Sequence, residues 1–348
     1  MVIMSKIYNI EALMEESGVK FGTSGARGLA TEMTDAVCYS YTVAFLQHLE
    51  QSNNITAGCE VAIAGDLRPS TPRICAAVAK AVEDKGYVAS YCGEIPSPAV
   101  AYYGFVNKIP SVMVTGSHIP DDRNGIKYNT PLGEIMKGDE QGIRAQDVEL
   151  DEDLCKEDGF FATPFELPVI NEQAIELYIK RYTDFFDNQT LAGLAIGVYE
   201  HSCVGRDVLK KIYSALGAKV TGLGRSEKFI PVDTEAIRPE DSALAAKWGS
   251  SGDFDSILSA DGDCDRPIIT DENGFWLRGD VAGILCAQHL GADAVVTPVS
   301  CNTAVELCKS FESITRTRIG SPFVIAGMKE ATANDARMVV GYEANGGF

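Results

Sequence analysis

With 348 residues, 45% of them apolar and 8% aromatic, the chain has a globular composition and length for two or three domains of roughly 100–150 residues each. Its 49 acidic against 30 basic side chains leave a formal charge of −19, which argues against a broad face for phosphate backbones and so against nucleic acid as a partner. Ten cysteines without a C-x-x-C pair, and an opening MVIMSKIYNIEALMEESG too short and charged for a signal segment, predict buried thiols in a reducing compartment. No apolar run reaches about 18 residues, so the reading is a cytoplasmic protein without a membrane partner.

Taken in chain order, CEVAIAGDLRPSTPRICAAVAKAVEDKGYVASYCGE (59–94) predicts a strand, a polar loop, a helix opened by Thr71 with Pro72 in its first turn and closed at Gly86, and a second strand. SVMVTGSHIPDDRNGIKY (111–128) is a buried strand that ends by presenting Ser117 beside His118, one of only four histidines. The acidic run 138–159 is the candidate for the first linker. LAGLAIGVYEHSCVGRDVLKKIYSALGAKVTGLG (191–224) repeats the strand–helix–strand order with Gly217 ending the helix, and 279–314 begins a third unit with helix, strand and helix. A second boundary is expected near Gly274–Gly279. Three such units predict consecutive, related α/β domains with mixed sheets flanked by helices, each with a polar loop at a strand end where ligands gather.

DSILSADGDCDRPIITDENG (255–274) sets Asp261, Asp263 and Asp265 on one turn between two strands. Carboxylates this close repel one another, so the loop makes best sense around a divalent cation with oxygen ligands, such as Mg2+. An EF-hand loop is excluded because Arg266 stands where the sharp turn needs glycine, Pro267 follows it, and the flanks read as strands. An apolar strand ending in D-x-D also resembles the haloacid dehalogenase-like phosphohydrolases. There Asp261 would be nucleophile and Asp263 an acid/base, although Asp265 stands where that pattern has Thr or Val.

Four motifs together carry a stronger resemblance. TGSHIPDDRNGIKY is similar to the phosphoserine loop of the α-D-phosphohexomutases, the phosphomannomutase/phosphoglucomutase family, usually T-A-S-H-N-P followed by N-G-x-K. Thr115, Ser117, His118, Pro120, Asn124, Gly125 and Lys127 match, while Gly116 and Ile119 depart. DGDCDR matches the D-G-D-x-D-R metal loop at Asp261, Asp263, Asp265 and Arg266. KFGTSGARG (20–28) resembles the F-G-T-x-G-x-R-G segment, and GYEANGG (341–347) a variant of the G-E-x-S-G sugar loop, with Asn345 in place of Ser.

The resemblance implies a phosphohexomutase-like fold divided as 1–155 with the phosphoserine loop, 156–276 with the metal loop and 277–348 as an incomplete third domain. The chain ends in a glycine-rich loop and carries no R-x-S-G-T-E-P-like segment, so the family's fourth, phosphate-gripping domain is expected to be absent and this form weakly active or inactive. Ser117 would carry the phosphoryl group, exchanging it with a hexose phosphate substrate through a hexose 1,6-bisphosphate. Mg2+ would be held by Asp261, Asp263, Asp265 and the phosphate on Ser117. Arg27, Lys127 and Arg266 would surround the phosphate oxygens, the arginine fork suiting phosphate. His118 and Lys127 are candidates for proton transfer, Glu343 and Asn345 for the sugar O3 and O4, and Ser321 or Arg318 for a further substrate contact. Phosphoglucosamine mutase, the phosphohydrolase reading and a non-catalytic fragment that binds metal and sugar phosphate stand as alternatives.

Overall fold

The computed structural model describes residues 5–22 and 25–348, so Thr23 and Ser24 of the first glycine-rich motif lie outside the described residues, as do 1–4 at the start of the opening segment. The first unit contains β1 (Ser5–Asn9), α1 (Ile10–Ser17), β2 (Lys20–Phe21), β3 (Gly25–Leu29), α2 (Asp35–Gln51), β4 (Glu60–Gly65) and α3 (Thr71–Asp84). It continues through β5 (Val88–Glu94), α4 (Ser97–Asn107), β6 (Ser111–Val114), β7 (Arg123–Thr130), β8 (Gly133–Glu134), α5 (Lys137–Arg144) and β9 (Asp147–Asp151). The second holds α6 (Gln173–Phe185), β10 (Ala195–His201), α7 (Arg206–Ala215), β11 (Lys219–Arg225), α8 (Pro239–Gly249), β12 (Ser256–Ala260) and β13 (Pro267–Ile269). The third is α9 (Gly279–His289), β14 (Ala294–Pro298), α10 (Ala304–Leu307), β15 (Ser313–Thr317), α11 (Ser321–Ala333) and β16 (Val339–Gly341).

Local chemistry explains the principal elements. In α3, Pro72 occupies the first turn, where its missing N–H costs nothing, and Ile74, Cys75, Val78, Ala81 and Val82 face the core; Gly86, at φ +80°, turns the chain out. The central strand β4, EVAIAG, is buried along almost its whole length, as a strand covered on both faces requires. Among the described residues, no helix is long and apolar enough to cross a membrane.

The three sheets share one construction. In the first, β4 pairs in parallel with both β5 and β6; in the second, β10 does so with β11 and β12; in the third, β14 does so with β15 and β16. The chain leaves the central strand to one side and later returns to the other. The crevice at such a reversal opens at the carboxyl ends of the strands, and it is where ligands bind in open α/β sheets. The loops after β4 and β6, after β10 and β12, and after β14 and β16 all stand at these points.

Two expectations need correction. The acidic run 138–159 is not a linker over most of its length. It forms α5 and β9, in which Ile143, Val148 and Leu150 point inward while Asp147, Glu149 and Asp151 face out, and β9 pairs antiparallel with β1. Its charges are the solvated face of amphipathic elements. Nor are all the thiols buried: Cys286 and Cys308 are exposed, and Cys59, Cys155 and Cys264 are half-buried. Cys286 lies on α9, which buries Gly283, Ile284 and Ala287 instead, and Cys308 just beyond the short α10.

The first and second units share an apolar cluster. Ala99, Val100 and Tyr103 of α4 pack with Ala174 and Tyr178 of α6 and Val208 and Ile212 of α7. Within the first sheet, β3 runs antiparallel to β7 with Arg27 opposite Gly125 and Gly25 opposite Lys127. A Cβ on Gly25 would stand 2.0 Å from the Ile126 carbonyl oxygen. Gly25→Ala is therefore expected to push these strands apart and destabilise the first unit by about 1–3 kcal/mol, measured as a lowered unfolding midpoint.

Candidate active site

Ser117 follows β6 by three residues, is fully buried, and holds φ +56°, a left-handed conformation uncommon for a residue with a side chain. Its backbone N–H donates to Thr115 Oγ1 at 2.8 Å, and the Thr115 hydroxyl donates to Asp66 Oδ2 at 2.7 Å. The same carboxylate accepts from Thr71 at 2.7 Å. Asn124, also buried, donates to Ser70 and Thr71, so the strand that follows the serine loop is tied to the loop after β4.

The loop after β12 meets Ser117 from the second unit. Ser117 Oγ–H donates to Asp261 Oδ2 at 2.5 Å, and Asp261 Oδ1 accepts from the backbone N–H groups of Asp265 and Arg266, each at 3.2 Å. Ligand oxygens of Asp261, Asp263 and Asp265 fall within 4.8 Å of one another. Lys127 Nζ, from β7, donates to Asp263 and to Asp265 at 2.6 Å each. The Oδ1 atoms of Asp263 and Asp265 are buried without a hydrogen-bond partner among the described residues. Buried carboxylate oxygens without partners, on three aspartates whose ligand atoms lie this close, are what a cation ligand set needs, so these residues fit a divalent ion with oxygen ligands.

The charges divide unevenly. Burial, with Asp263 and Asp265 beside it, pushes the Asp261 carboxyl well above the ordinary range. Burial also opposes charge on Asp263, but Lys127 and then Arg266 more than offset it and hold that carboxyl down at about 2. For Lys127 burial pulls downward, and Asp263, Asp265 and Asp261 reverse this to raise the ammonium above its usual value. His118 is lowered by burial and by Arg266; Arg266 Nη1 donates to His118 Nδ1 at 2.8 Å, which puts the neutral ring's proton on Nε2. Ser117 Oγ lies 3.3 Å from the same Nδ1. Arg27 is pulled down by burial, with Asp263 acting against this, and among the described residues no hydrogen-bond partner engages its guanidinium. Its N–H fork is available to an anion.

Ser117, His118, Lys127, Arg27, Arg266 and the three aspartates thus converge. Glu343 and Asn345 stand on the neighbouring loop after β16, where Glu343 Oε1 accepts from Gly320 N–H at 3.2 Å and the Asn345 carbonyl accepts from Thr234 at 2.6 Å. Burial raises the Glu343 carboxyl. Ser321 lies at the start of α11 and donates to Glu134 of β8 at 3.1 Å, while Arg318 lies over the Phe323 ring; neither touches the Ser117 cluster among the described residues.

The family models for phosphoglucomutase/phosphomannomutase alpha/beta/alpha domain I and domain III match residues 18–152 and 278–348. A phosphomannomutase of Salmonella muenchen is 45% identical over 345 residues, covering 99% of this chain and 69% of that protein. The chain belongs to the phosphoglucomutase/phosphomannomutase family. A second family relative, a phosphomannomutase of Sinorhizobium fredii, is 44% identical over 333 residues, covering 95% of this chain and 69% of its own. The solved structure of a phosphoglucomutase/phosphomannomutase family protein from Burkholderia thailandensis shares the fold, with TM-score 0.74 at 20% identity over 95% of this chain and 71% of that one.

Several residues around this site were not singled out from the sequence: Asp66 and Arg68 after β4, and Phe229 and Thr234 in the segment between β11 and α8, while Thr71 was read only as the start of a helix. The first group carried a usable signal. A polar D-x-R-x-S-T run directly after a buried strand lies at the same sheet reversal as the serine loop. The second group carried none, because an irregular loop has no periodicity to show which side chains turn inward.

Two outcomes follow from these charges. Lys127→Met removes the cation that balances Asp263 and Asp265, so without divalent ions its melting temperature is expected to fall by on the order of 5–10 °C, and added Mg2+ should raise it more than in the parent protein; scanning fluorimetry in EDTA and in Mg2+ checks both. His201, buried with Nε2 2.8 Å from the Ala260 carbonyl, is held down at about 4 from an ordinary 6.5, mainly by burial. The unfolded chain takes up this proton first as pH falls, so stability conferred by neutral His201 is intact above 6.5 and lost between 6.5 and 4, by ~3 kcal/mol in total. Urea unfolding against pH, followed through the tryptophans at 248 and 276, should show this acid slope, and His201→Asn should flatten it.

Proposed function

We propose that the chain interconverts hexose 1-phosphate and hexose 6-phosphate, with Ser117 as the phosphoryl carrier and a hexose 1,6-bisphosphate as intermediate and activator. Mannose and glucose phosphates are the proposed substrates, a choice supported by the phosphomannomutases to which the chain is most similar among the relatives described. The carrying observation is the buried serine hydroxyl at 2.5 Å from Asp261, inside a ring of cationic side chains.

In the transfer, the bond between Ser117 Oγ and phosphorus breaks as a sugar hydroxyl oxygen bonds to phosphorus, and the proton that hydroxyl gives up is balanced by the one the departing Ser117 Oγ takes on to end as a hydroxyl. Such a transfer needs its spreading negative charge balanced more than it needs covalent assistance. Asp261, Asp263 and Asp265, with the phosphate on Ser117, would hold a divalent cation, Mg2+ in this proposal, which would supply charge neutralisation at the transferring group. Arg27 and Arg266 add fixed N–H donors. Lys127 is a cation in its present ion pairs, and only its release from Asp263 and Asp265 frees it for proton transfer. His118, its Nδ1 occupied by Arg266, offers Nε2–H as a donor to a substrate oxygen. Glu343 and Asn345 are the proposed partners of the sugar O3 and O4. Ser321 and Arg318 are proposed as further substrate contacts.

The occupancy of Asp261 speaks against the phosphohydrolase alternative. Its Oδ2 accepts from the Ser117 hydroxyl and its Oδ1 from two backbone N–H groups, which sets it as the partner of the serine, an arrangement that a phosphohydrolase nucleophile would not require. Phosphopeptide mass spectrometry after incubation with glucose 1,6-bisphosphate and Mg2+ should find phosphate on Ser117, and Ser117→Ala should abolish it along with mutase turnover. Release of inorganic phosphate that survives Ser117→Ala but is lost in Asp261→Asn would instead establish the phosphohydrolase.

A further inference from the structure

The loop that presents Ser117 has little regular secondary structure, yet four carbonyl groups in 117–123 share one hydrogen-bond partner. The partner is one side chain outside the four sequence motifs. We propose that Arg68 is the positioning residue of the serine loop, and that its placement by Gly116 and Phe229 makes the nucleophile's geometry depend on the second unit being seated. This rests on Ser117 being the nucleophile of the proposed mutase.

Arg68 lies in the loop after β4 and is 1% exposed. A guanidinium carries five N–H donors, and here each is used. Nε donates to Asp66 Oδ2 at 3.0 Å; Nη2 donates to the carbonyl oxygens of Ser117 and Ile119 at 2.8 and 2.7 Å; Nη1 donates to those of Pro120 and Arg123 at 2.7 and 3.1 Å. Four of the five bonds therefore fall on the backbone of one segment, 117–123. Asp66 Oδ2 also accepts from Thr115, whose hydroxyl oxygen takes the Ser117 N–H. The peptide groups on both sides of the Ser117 Cα are fixed from a single carboxylate–guanidinium pair, which holds a left-handed φ that a free serine would leave.

Two neighbours fit the planar group. The Phe229 ring lies with its centroid 4.1 Å from Arg68 Cζ, and a Cβ on residue 116 would stand 2.6 Å from the same atom. The glycine that departs from the family's usual alanine is therefore the residue that admits the guanidinium. Phe229 comes from the segment between β11 and α8, in the unit that supplies Asp261, and a Cβ on Gly262 beside Asp261 would also meet the Phe229 ring at 3.2 Å. Seating of the second unit thus brings up Asp261 and closes the face of Arg68 in one event. Lysine cannot replace this geometry, because one ammonium has three donors and no plane.

The test compares the parent chain with Arg68→Met, Arg68→Lys, Phe229→Leu and Gly116→Ala. Hydrogen exchange of peptides covering 115–123 and of those covering β4 and β6 is read alongside the rate of Ser117 phosphorylation by glucose 1,6-bisphosphate and Mg2+. Arg68→Met should raise exchange in 115–123 about tenfold with the two strands still protected, and slow phosphorylation about 100-fold. Arg68→Lys should not recover either readout. Millimolar guanidinium, but not sodium or methylammonium, should partly restore both in Arg68→Met, which a merely space-filling arginine would not show. Phe229→Leu and Gly116→Ala, which keep the arginine, should move both readouts the same way by about five- to tenfold. Phosphorylation at the parent rate with a protected loop in Arg68→Met, or full function in Arg68→Lys, overturns the proposal. If Arg68→Met does not fold, unchanged loop exchange in both Phe229→Leu and Gly116→Ala overturns it. If the parent Ser117 takes up no phosphate, the mutase reading fails, and loop exchange with its guanidinium rescue decides the positioning role alone.

Discussion

The contact between Ser117 Oγ and Asp261 Oδ2, 2.5 Å long and spanning 144 positions of sequence, is the constraint to which the rest of the site conforms. It exists only if the reversal point of the first sheet and that of the second face each other. The apolar cluster of α4, α6 and α7 packs the two units together, while across the same seam Lys127 meets Asp263 and Asp265, Arg266 meets His118 and Phe229 covers Arg68, so the facing loops are arranged around charge.

That arrangement is a local inversion of the molecule's overall character. A chain with formal charge −19 repels phosphate at long range, yet Arg27, Lys127 and Arg266 gather around three aspartates at this site. Neither set is tolerable alone. Buried carboxylates this close raise one another's affinity for protons, and the cations lower it again, so that Asp263 stays ionised while Asp261 is pushed upward. Lys127 bridging two carboxylates is the internal counterion of this state. The carboxylate oxygens it leaves without partners mark where a further cation fits.

The third unit joins through smaller contacts. Thr234 of the second unit holds the Asn345 carbonyl, and Ser321 reaches Glu134 of the first. These are single, half-buried hydrogen bonds, in contrast to the apolar packing between the first two units.

Much of this was legible in the amino-acid order. Strands ending in T-G-S-H and D-G-D-C-D-R, the helix from Thr71 and the strand–helix–strand repeats are local signals, because alternation, proline placement and carboxylate spacing act over a few residues. The acidic run 138–159 misled as a linker because charge on the outer face of α5 and β9 outnumbers the three inward residues that define them. Arg68 and Phe229 were not legible as partners. Nothing in their own neighbourhoods says that one guanidinium will face four carbonyls some fifty residues away, or that a ring from the second unit will cover it. The sequence by itself determined most of the elements and, through motif resemblance, pointed to Ser117 and the three aspartates, since these depend on short-range pattern and residue chemistry. Only the tertiary structure decided which buried polar groups satisfy one another, because that depends on how separate sheets pack, and burial obliges each donor and acceptor to find whichever partner the packing brings within reach.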